Sequence, residues 1–423
     1  MKSLDDIAAA LQGYDPQALS VSHVLSFLEQ LVRPLDARDD LDVPIPQALG
    51  CILARDVISP VAVPPHDNSA MDGYAFAGQV LAQEGPVRLQ VVGTALAGAA
   101  WRGTVGPGQC LKIMTGAIMP EGLDTVAPQE LVQLDGDSIV IPPGRLSAGD
   151  NRRLCGEDIA LGKAALVAGQ RLTPAALGLV ASLGLPHVRV KRPLRVAYFS
   201  TGNEILSLGE APREGAVYDS NRYTVMGLLS RLGCELLDLG VIPDDPVQLR
   251  QAFVQASSQA DAVITSGGVS VGEADYTKTM MRELGEVAFW KIAMRPGRPM
   301  AVGRIGHSLL FGLPGNPVAV MVTFLAFVRP ALLRLMGCTE VSPPLLRAEC
   351  TEALRKKPGR TEYQRGIVSL SPSGALQVRT TGNQGSGVLS SMVQGNGLIV
   401  LHHDQSDVAI GDTVDVMMFD GVI

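Results

Sequence analysis

Asp261-Ala-Val-Ile-Thr-Ser-Gly-Gly-Val-Ser-Val-Gly-Glu-Ala-Asp-Tyr-Thr-Lys278 is the stretch on which the reading of this chain turns. Asp261 to Thr265 is short, apolar and β-branched, the composition of a buried strand. Glycine at 267 and 268 lets the backbone turn at the strand exit, so that consecutive N–H groups can point at a phosphate. Ser266, Gly267, Gly268 and Ser270 thus form a candidate anion cradle. Glu273 and Asp275 do not suit an anion directly. They suit a divalent cation bridged to phosphate oxygens, as Mg²⁺ usually is, and Lys278 adds a positive charge just beyond.

Working outward, apolar strands alternate with amphipathic helices from Pro193 to Gly337. The strands are Leu194 to Phe199, Glu235 to Val241, Asp261 to Thr265, Val287 to Ile292, Met300 to Val302 and Ser308 to Phe311. The helices are Arg222 to Leu232, Pro246 to Gln259, Tyr276 to Leu284 and a long one after Asn316-Pro317. Such alternation predicts a mostly parallel, doubly wound sheet, whose ligands sit beyond the carboxyl ends of the strands. Four polar, glycine-bearing groups fall at those ends: Ser200 to Glu204, Pro243 to Pro246, Ser266 to Asp275, and Gly312-Leu-Pro-Gly-Asn316. Together they predict one crevice holding a phosphorylated ligand. Pro314 and Gly315 permit close backbone approach, and Asn316 with Pro317 caps a helix whose amide end suits an anion.

The carboxylates Glu204, Asp244, Asp245, Glu273 and Asp275 would repel one another and the ligand unless a metal or cations intervene. Lys278, Lys291, Arg295 and Arg298 are candidates for the second role. Arg295-Pro-Gly-Arg298 puts two guanidinium groups around one turn, an arrangement that serves bidentate oxyanion binding or a solvated surface turn.

The flanks read differently. Val21 to Leu35 carries apolar positions at helical spacing and meets Pro34. From about Val61 to Pro143 the pattern turns to β, with Leu131 to Leu134 facing Ser138 to Ile141 across an Asp135-Gly136 turn. Thr173 and Pro174 open a helix as N-cap and first residue. Leu345 to Ile423 returns to short strands with glycine turns, as in a compact β barrel or sandwich. Asp67-Asn-Ser-Ala-Met-Asp-Gly-Tyr74, Met114-Thr-Gly-Ala117 and Arg152 to Asp158 are polar runs in these flanks. Gly156 and Gly162-Lys163 fall short of a P-loop, because five residues separate the glycines and Ala164 follows the lysine.

Composition narrows the function classes. The 423 residues are 46% hydrophobic and 18% charged, the balance of a folded chain of several domains. With net charge −7 and no basic run beyond Arg355-Lys-Lys357, a nucleic-acid groove is not expected, and an anionic ligand must be held by a local pocket. The apolar run Val318 to Val328 is ended by Arg329-Pro330 and is too short to span a bilayer, so no membrane partner is expected. Six cysteines without a Cys-x-x-Cys pair indicate neither a zinc site nor a disulfide frame, and a reducing, cytoplasmic setting fits them.

Read in order, Asp67 to Tyr74, Met114 to Gly122, Arg152 to Asp158, Ser200 to Glu204, Ser266 to Lys278 and Gly312 to Pro317 resemble the molybdopterin molybdenumtransferases, the MoeA family, to which the C-terminal part of gephyrin also belongs. The resemblance runs over nearly the whole chain. It implies an elongated segment-assembled domain (1–60 and 144–192), an inserted small β domain (61–143), a doubly wound α/β molybdopterin-binding domain (193–338) and a C-terminal β barrel (339–423). It implies a homodimer, with the crevice of one subunit completed by the β-domain loop of the other. The implied reaction takes molybdate and adenylylated molybdopterin and, with Mg²⁺, yields molybdenum cofactor and AMP. A molybdopterin adenylyltransferase and apo-molybdoenzymes are the implied further partners.

By position in the family's motifs, Asp67, Thr115, Asp158, Glu204, Asp244, Asp275 and Lys291 match catalytic positions, and Arg365 and Ser386 match substrate-binding ones. Glu204, Asp244 and Asp275 are the implied metal-positioning carboxylates. Two departures stand out: Arg295-Pro-Gly-Arg298 where the family commonly has two lysines, and Asn203 where it has aspartate. The first keeps the sign of charge but changes reach and geometry, and the second removes a carboxylate. Rival readings are a non-catalytic molybdopterin carrier or scaffold, a tungstate-inserting paralogue, and the adenylylating enzyme of the same pathway, which leaves the flanking β domains unexplained.

Overall fold

The computed structural model describes residues 3–269 and 276–419. Near its start, Ser20 caps the helix Val21–Leu31 by accepting the His23 N–H at 3.2 Å. The helix stops at Leu31 rather than running on to Leu35. Pro34 disfavours helical backbone in the residue before it, and Val32 has already turned extended.

Residues on either side of the inserted β unit close on one another. Asp40–Pro44 pairs antiparallel with His187–Lys191, and Val57–Ile58 with Ala164–Leu166. Lys191 reaches Asp40 at 2.7 Å, and Leu53, Val57, Leu172, Val180 and Val188 form a shared core beneath. Thr173 does cap the helix Pro174–Ser182, its hydroxyl accepting the Ala176 N–H. Between these halves lies a six-stranded sheet in the order Thr125–Pro128, Gly73–Phe76, Gln109–Ile113, Val87–Ala95, Ser138–Ile141, Gln133–Asp135. Asp135 pairs with Ser138, so the turn is Gly136-Asp137, one residue later than read from sequence. Gly136 alone takes positive φ there, which suits a hairpin turn with glycine first.

The α/β unit comprises β1 (Arg195–Thr201), α1 (Ser220–Leu232), β2 (Glu235–Ile242), α2 (Pro246–Gln259), β3 (Ala262–Ser266), α3 (Tyr276–Leu284), β4 (Glu286–Lys291), β5 (Pro299–Ile305), β6 (Ser308–Leu313) and α4 (Pro317–Leu335). The sheet order is β2-β1-β3-β6-β5-β4. The four strands β2, β1, β3 and β6 are parallel, as expected, but β5 runs antiparallel to both neighbours. Gly306-His307 is the whole link between β5 and β6, far too short for the crossover that a parallel pair needs.

The long helix expected after Asn316-Pro317 is α4. It outruns the apolar run that Arg329-Pro330 closes, continuing through a π turn, Phe324–Val328, into Arg329–Leu335. Pro330 falls at the opening of that new α segment, where its missing N–H breaks no established ladder. At 19 residues and mean hydropathy 1.9, α4 is long and apolar enough to cross a membrane, yet 89% of it is buried within the fold. Val318, Phe324 and Phe327 share there one buried core with Val196, Leu228 and Phe311.

In the C-terminal part, Thr361–Leu370, Leu376–Thr380, Leu346–Cys350, Thr413–Met418 and Gly397–Leu401 pair in sequence, and Gly397–Leu401 returns to Thr361–Leu370. The result is a closed five-stranded barrel. Met294–Arg295 adds to the strand Thr361–Leu370, tying the barrel to the loop between β4 and β5.

Candidate active site

Because β2, β1, β3 and β6 are parallel neighbours, their carboxyl ends open on one edge of the sheet. Gly202-Asn203-Glu204, Pro243-Asp244, Gly267-Gly268 and Pro314-Gly315-Asn316 therefore line one crevice. Two antiparallel steps give β4 the same direction as β6, so Lys291 joins that edge from the far side. Gly267 and Gly268 both adopt positive φ, and a Cβ on Gly267 would lie 2.6 Å from the Thr201 carbonyl. Only glycine makes this turn. Ser270, Glu273 and Asp275 lie outside the described residues, and Lys278 stands in the first turn of α3.

Ser266 takes a different part from the one assigned to it. It is 2% exposed, and its hydroxyl bonds to Tyr198 Oη at 2.7 Å beneath the crevice floor. Ser200 completes this buried cluster, with its Oγ 2.9 Å from the same phenol. Burial holds the Tyr198 phenol protonated well above its ordinary range. The cluster ties two adjacent strand ends together.

Glu204 and Asp244 are both exposed, on loops that touch. The Asp244 N–H donates to Asn203 Oδ1 at 3.2 Å, so the position that departs from the family supplies the joint between the two carboxylate loops. Behind them stand two residues that sequence reasoning missed. Asp219 is 4% exposed and caps α1 by accepting the Arg222 N–H at 3.0 Å. Asn221 Nδ2 donates to the Gly315 carbonyl at 2.7 Å. The signal available was Asp219-Ser220 before a helix, a capping pattern that fixes the start but not the tie to Gly315.

Asn316 precedes α4 but makes no side-chain cap. Its Nδ2 instead donates to Ser386 Oγ at 3.1 Å, while the Ser386 carbonyl accepts the Val318 N–H of α4. The expected capping amide thus bridges to the barrel. Arg365 holds the loop that carries Ser386. It is 1% exposed and donates through Nε to Ser391 Oγ and through Nη2 to the carbonyls of Asn383 and Gly385. Burial first, and then the charge of Arg295, lower its pKa to about 10. Arg295, Arg355, Arg365 and Gln384 line a cavity of about 70 Å³, with Glu362 as the acidic member. Arg298, exposed, ends the turn that starts at Arg295, and its carbonyl accepts the Ile292 N–H.

The β unit presents a second cluster. Asp67 Oδ1 accepts the Cys155 N–H at 2.8 Å, and its other oxygen faces Arg152 at 3.6 Å. Asp72, quoted in sequence but given no role, accepts both the N–H and the hydroxyl of Thr115, at 2.7 and 2.8 Å. These two donors hold its carboxyl below the usual carboxylate value. Asp158 is exposed near by, its N–H on the Val63 carbonyl. The loops bearing Asp67, Thr115 and Asp158 are thereby assembled together, and their hydrogen bonds run among residues 63–158 rather than to the crevice.

Among the described residues no group of three or more His, Cys, Asp or Glu forms a metal cage. Glu204 and Asp244 on touching loops fit instead the way Mg²⁺ binds in phosphate sites, through one or two carboxylates together with ligand oxygens and water.

Comparison with known proteins agrees with this arrangement along the chain. Residues 19–184 match the MoeA N-terminal region (domain I and II), 197–334 the probable molybdopterin binding domain, and 347–419 the MoeA C-terminal region (domain IV). The molybdopterin molybdenumtransferase of Haemophilus influenzae is 42% identical over 89% of this chain and 93% of its own length. That of a Nostoc species is 34% identical over 96% and 95%. The crystal structure of a molybdopterin biosynthesis MoeA protein from Pyrococcus horikoshii OT3 superposes with a TM-score of 0.80 at 26% identity, covering 95% of this chain and all of the other. The fold and site define a molybdenum-cofactor biosynthetic transferase. The chain belongs to the MoeA family of molybdopterin molybdenumtransferases.

Proposed function

We propose that this enzyme takes adenylylated molybdopterin and molybdate, opens the pyrophosphate link with release of AMP, and delivers molybdenum cofactor in an Mg²⁺-dependent reaction. The observation that carries the reading is the meeting of two unlike surfaces. A glycine cradle and two exposed carboxylates lie at the parallel strand exits, and an arginine-lined pocket lies where the barrel docks on the same edge. The cradle of Gly267 and Gly268 supplies N–H groups for phosphate oxygens. Glu204 and Asp244 would hold the Mg²⁺, which when bound neutralises charge on the pyrophosphate. Lys291, Arg295 and Arg298 add fixed positive charge at the rim, and the small cavity by Arg365 matches a single tetrahedral oxyanion better than a nucleotide.

The same reading makes the working unit a homodimer. Asp67, Thr115 and Asp158 form a cluster with its own hydrogen bonds in the β unit, and the segment-assembled part exposes Leu49, Ile58 and Leu161, apolar surface that a second copy would cover. The crevice of one subunit would then work against the Asp67 and Thr115 loops of the other.

Mixing two inactive proteins tests both parts. Asp67→Asn damages only the β-unit cluster and Glu204→Gln only the crevice. Random exchange of subunits should restore AMP release to about a quarter of wild type, because half the dimers are mixed and each keeps one intact site. Exchange verified independently without recovery would assign each site to a single chain. Running the assay with molybdate and with tungstate separates the two oxyanions, and absence of AMP release from the wild type would favour a carrier.

A further inference from the structure

A cavity of about 750 Å³ opens away from the crevice, between the segment-assembled part and the far end of α4. Leu166, Val167 and Leu179 form one wall and Arg329 and Leu333 the other. Among the described residues, none of those assigned to the active site lines it.

Arg329 is the unusual member. It is 7% exposed, and its guanidinium makes one hydrogen bond among the described residues, from Nη1 to the Val341 carbonyl at 3.2 Å. Its Nε is buried and has no partner among the described residues. A second cation stands in the wall: Arg171 lines the cavity and donates to the carbonyls of Gly50 and Arg231. Burial and then the charge of Arg171 both weaken the hold of Arg329 on its proton. No carboxylate stands within ion-pair reach of either guanidinium among the described residues, and Glu340 at the margin is solvent-exposed. Arg365, equally buried, shows the contrast, since three of its donor contacts are taken by Ser391, Asn383 and Gly385. A buried cation left without an anion is strongly disfavoured.

The walls say what kind of anion would serve. A bare oxyanion would satisfy the guanidinium but leave the leucine and valine walls against water, whereas an organic acid serves both. We infer that this cavity binds a carboxylate carried on an apolar body, with the acid group on Arg329 and the body along Leu166, Val167, Leu179 and Leu333. Val167 is 46% exposed, so one side of the cavity is open to solvent and to an entering ligand.

Calorimetry on the full chain with octanoate, octanol and inorganic phosphate as probes tests the assignment. Octanoate should bind at least tenfold more tightly than octanol of the same body or phosphate of comparable charge. Arg329→Met should weaken octanoate at least tenfold and leave octanol unchanged. Because loss of a buried arginine can disturb folding, Leu179→Glu gives an independent arm: a carboxylate built into the wall should raise the melting temperature and abolish octanoate binding. Equal octanoate affinity in wild type and both variants overturns the proposal. So does phosphate binding as tightly as octanoate, which would make this a plain oxyanion site. A wild type that binds no octanoate overturns it as well.

Discussion

Asn316 and Ser386, seventy residues apart, meet through an Nδ2 to Oγ hydrogen bond of 3.1 Å that joins the last crevice loop to the barrel. The Ser386 carbonyl also takes the Val318 N–H, so the contact fixes the start of α4 as well as the loop. A neutral hydrogen bond of this kind contributes about 1 kcal/mol net. We expect Asn316→Ala and Ser386→Ala each to lower kcat/KM for AMP release about fivefold, with the double variant little worse than either single one. Strict additivity in that double-mutant cycle would show that the bridge carries no positioning.

Arg365 offers a larger effect. A lysine at that depth keeps a positive charge but cannot reach Ser391 Oγ and the carbonyls of Asn383 and Gly385 together. Arg365→Lys should destabilise the protein by roughly 3 kcal/mol in denaturant unfolding, since hydrogen bonds to charged groups are each worth about 1.5 to 3 kcal/mol. The apparent KM for molybdate should rise in the same variant, because the Ser386 loop loses its anchor. Unchanged stability with wild-type kinetics would remove Arg365 from both roles.

Asp72 gives a prediction in pH. Its folded pKa lies below the ordinary 3.8 because the Thr115 N–H, and then the Thr115 hydroxyl, favour the ionised form. A depressed carboxyl contributes stability that is fully present above the unfolded value and fades as pH falls through the folded one. The Thr115 amide resonance should therefore stay constant from neutral pH down to about 4 and shift only below it. Asp72→Asn should remove that transition. A Thr115 transition centred near pH 6 would contradict the assignment.

Metal dependence follows from the exposed pair Glu204 and Asp244. Excess chelator should stop AMP release, and added Mg²⁺ or Mn²⁺ should restore it. Glu204→Asp, which keeps the charge but shortens its reach, should raise the Mg²⁺ concentration needed for half-maximal rate by about tenfold, a loss of about 1.4 kcal/mol, while leaving the melting temperature within a few degrees. Full turnover in chelator would end the metal reading.

What could be read from sequence was whatever is local or periodic. The parallel strand exits follow from the alternation of apolar strands with helices, and with them the gathering of Glu204, Asp244, Gly267 and Asn316. The burial of the Ser266 hydroxyl was legible in principle. Ser266 lies two residues beyond Ile264 and so shares its face, which in β3 is packed into the core. The antiparallel turn of β5 was signalled by the brevity of Gly306-His307, but the regular winding around it argued the other way. The pairings of Asn221 with Gly315 and Asn316 with Ser386 left no mark in sequence, because a side-chain amide that caps a helix and one that bridges two domains are written with the same letter. The family pattern, by contrast, reached Asp67 and Thr115, whose neighbourhood no spacing rule supplies.

The pairing of Asp40 with Lys191 has a consequence for how the protein is made. Those partners are 151 residues apart, and the intervening chain includes the whole inserted β unit. At ordinary ribosomal speeds of about 5 to 20 residues per second, Asp40 emerges about 8 to 30 s before its partner. During that interval Val43, Leu53 and Val57 belong to a nascent segment whose core does not yet exist. The β unit, whose six sheet strands pair with one another, can be finished first and carry the waiting ends toward each other. Translation itself thus orders assembly from the insert outward to the host that surrounds it.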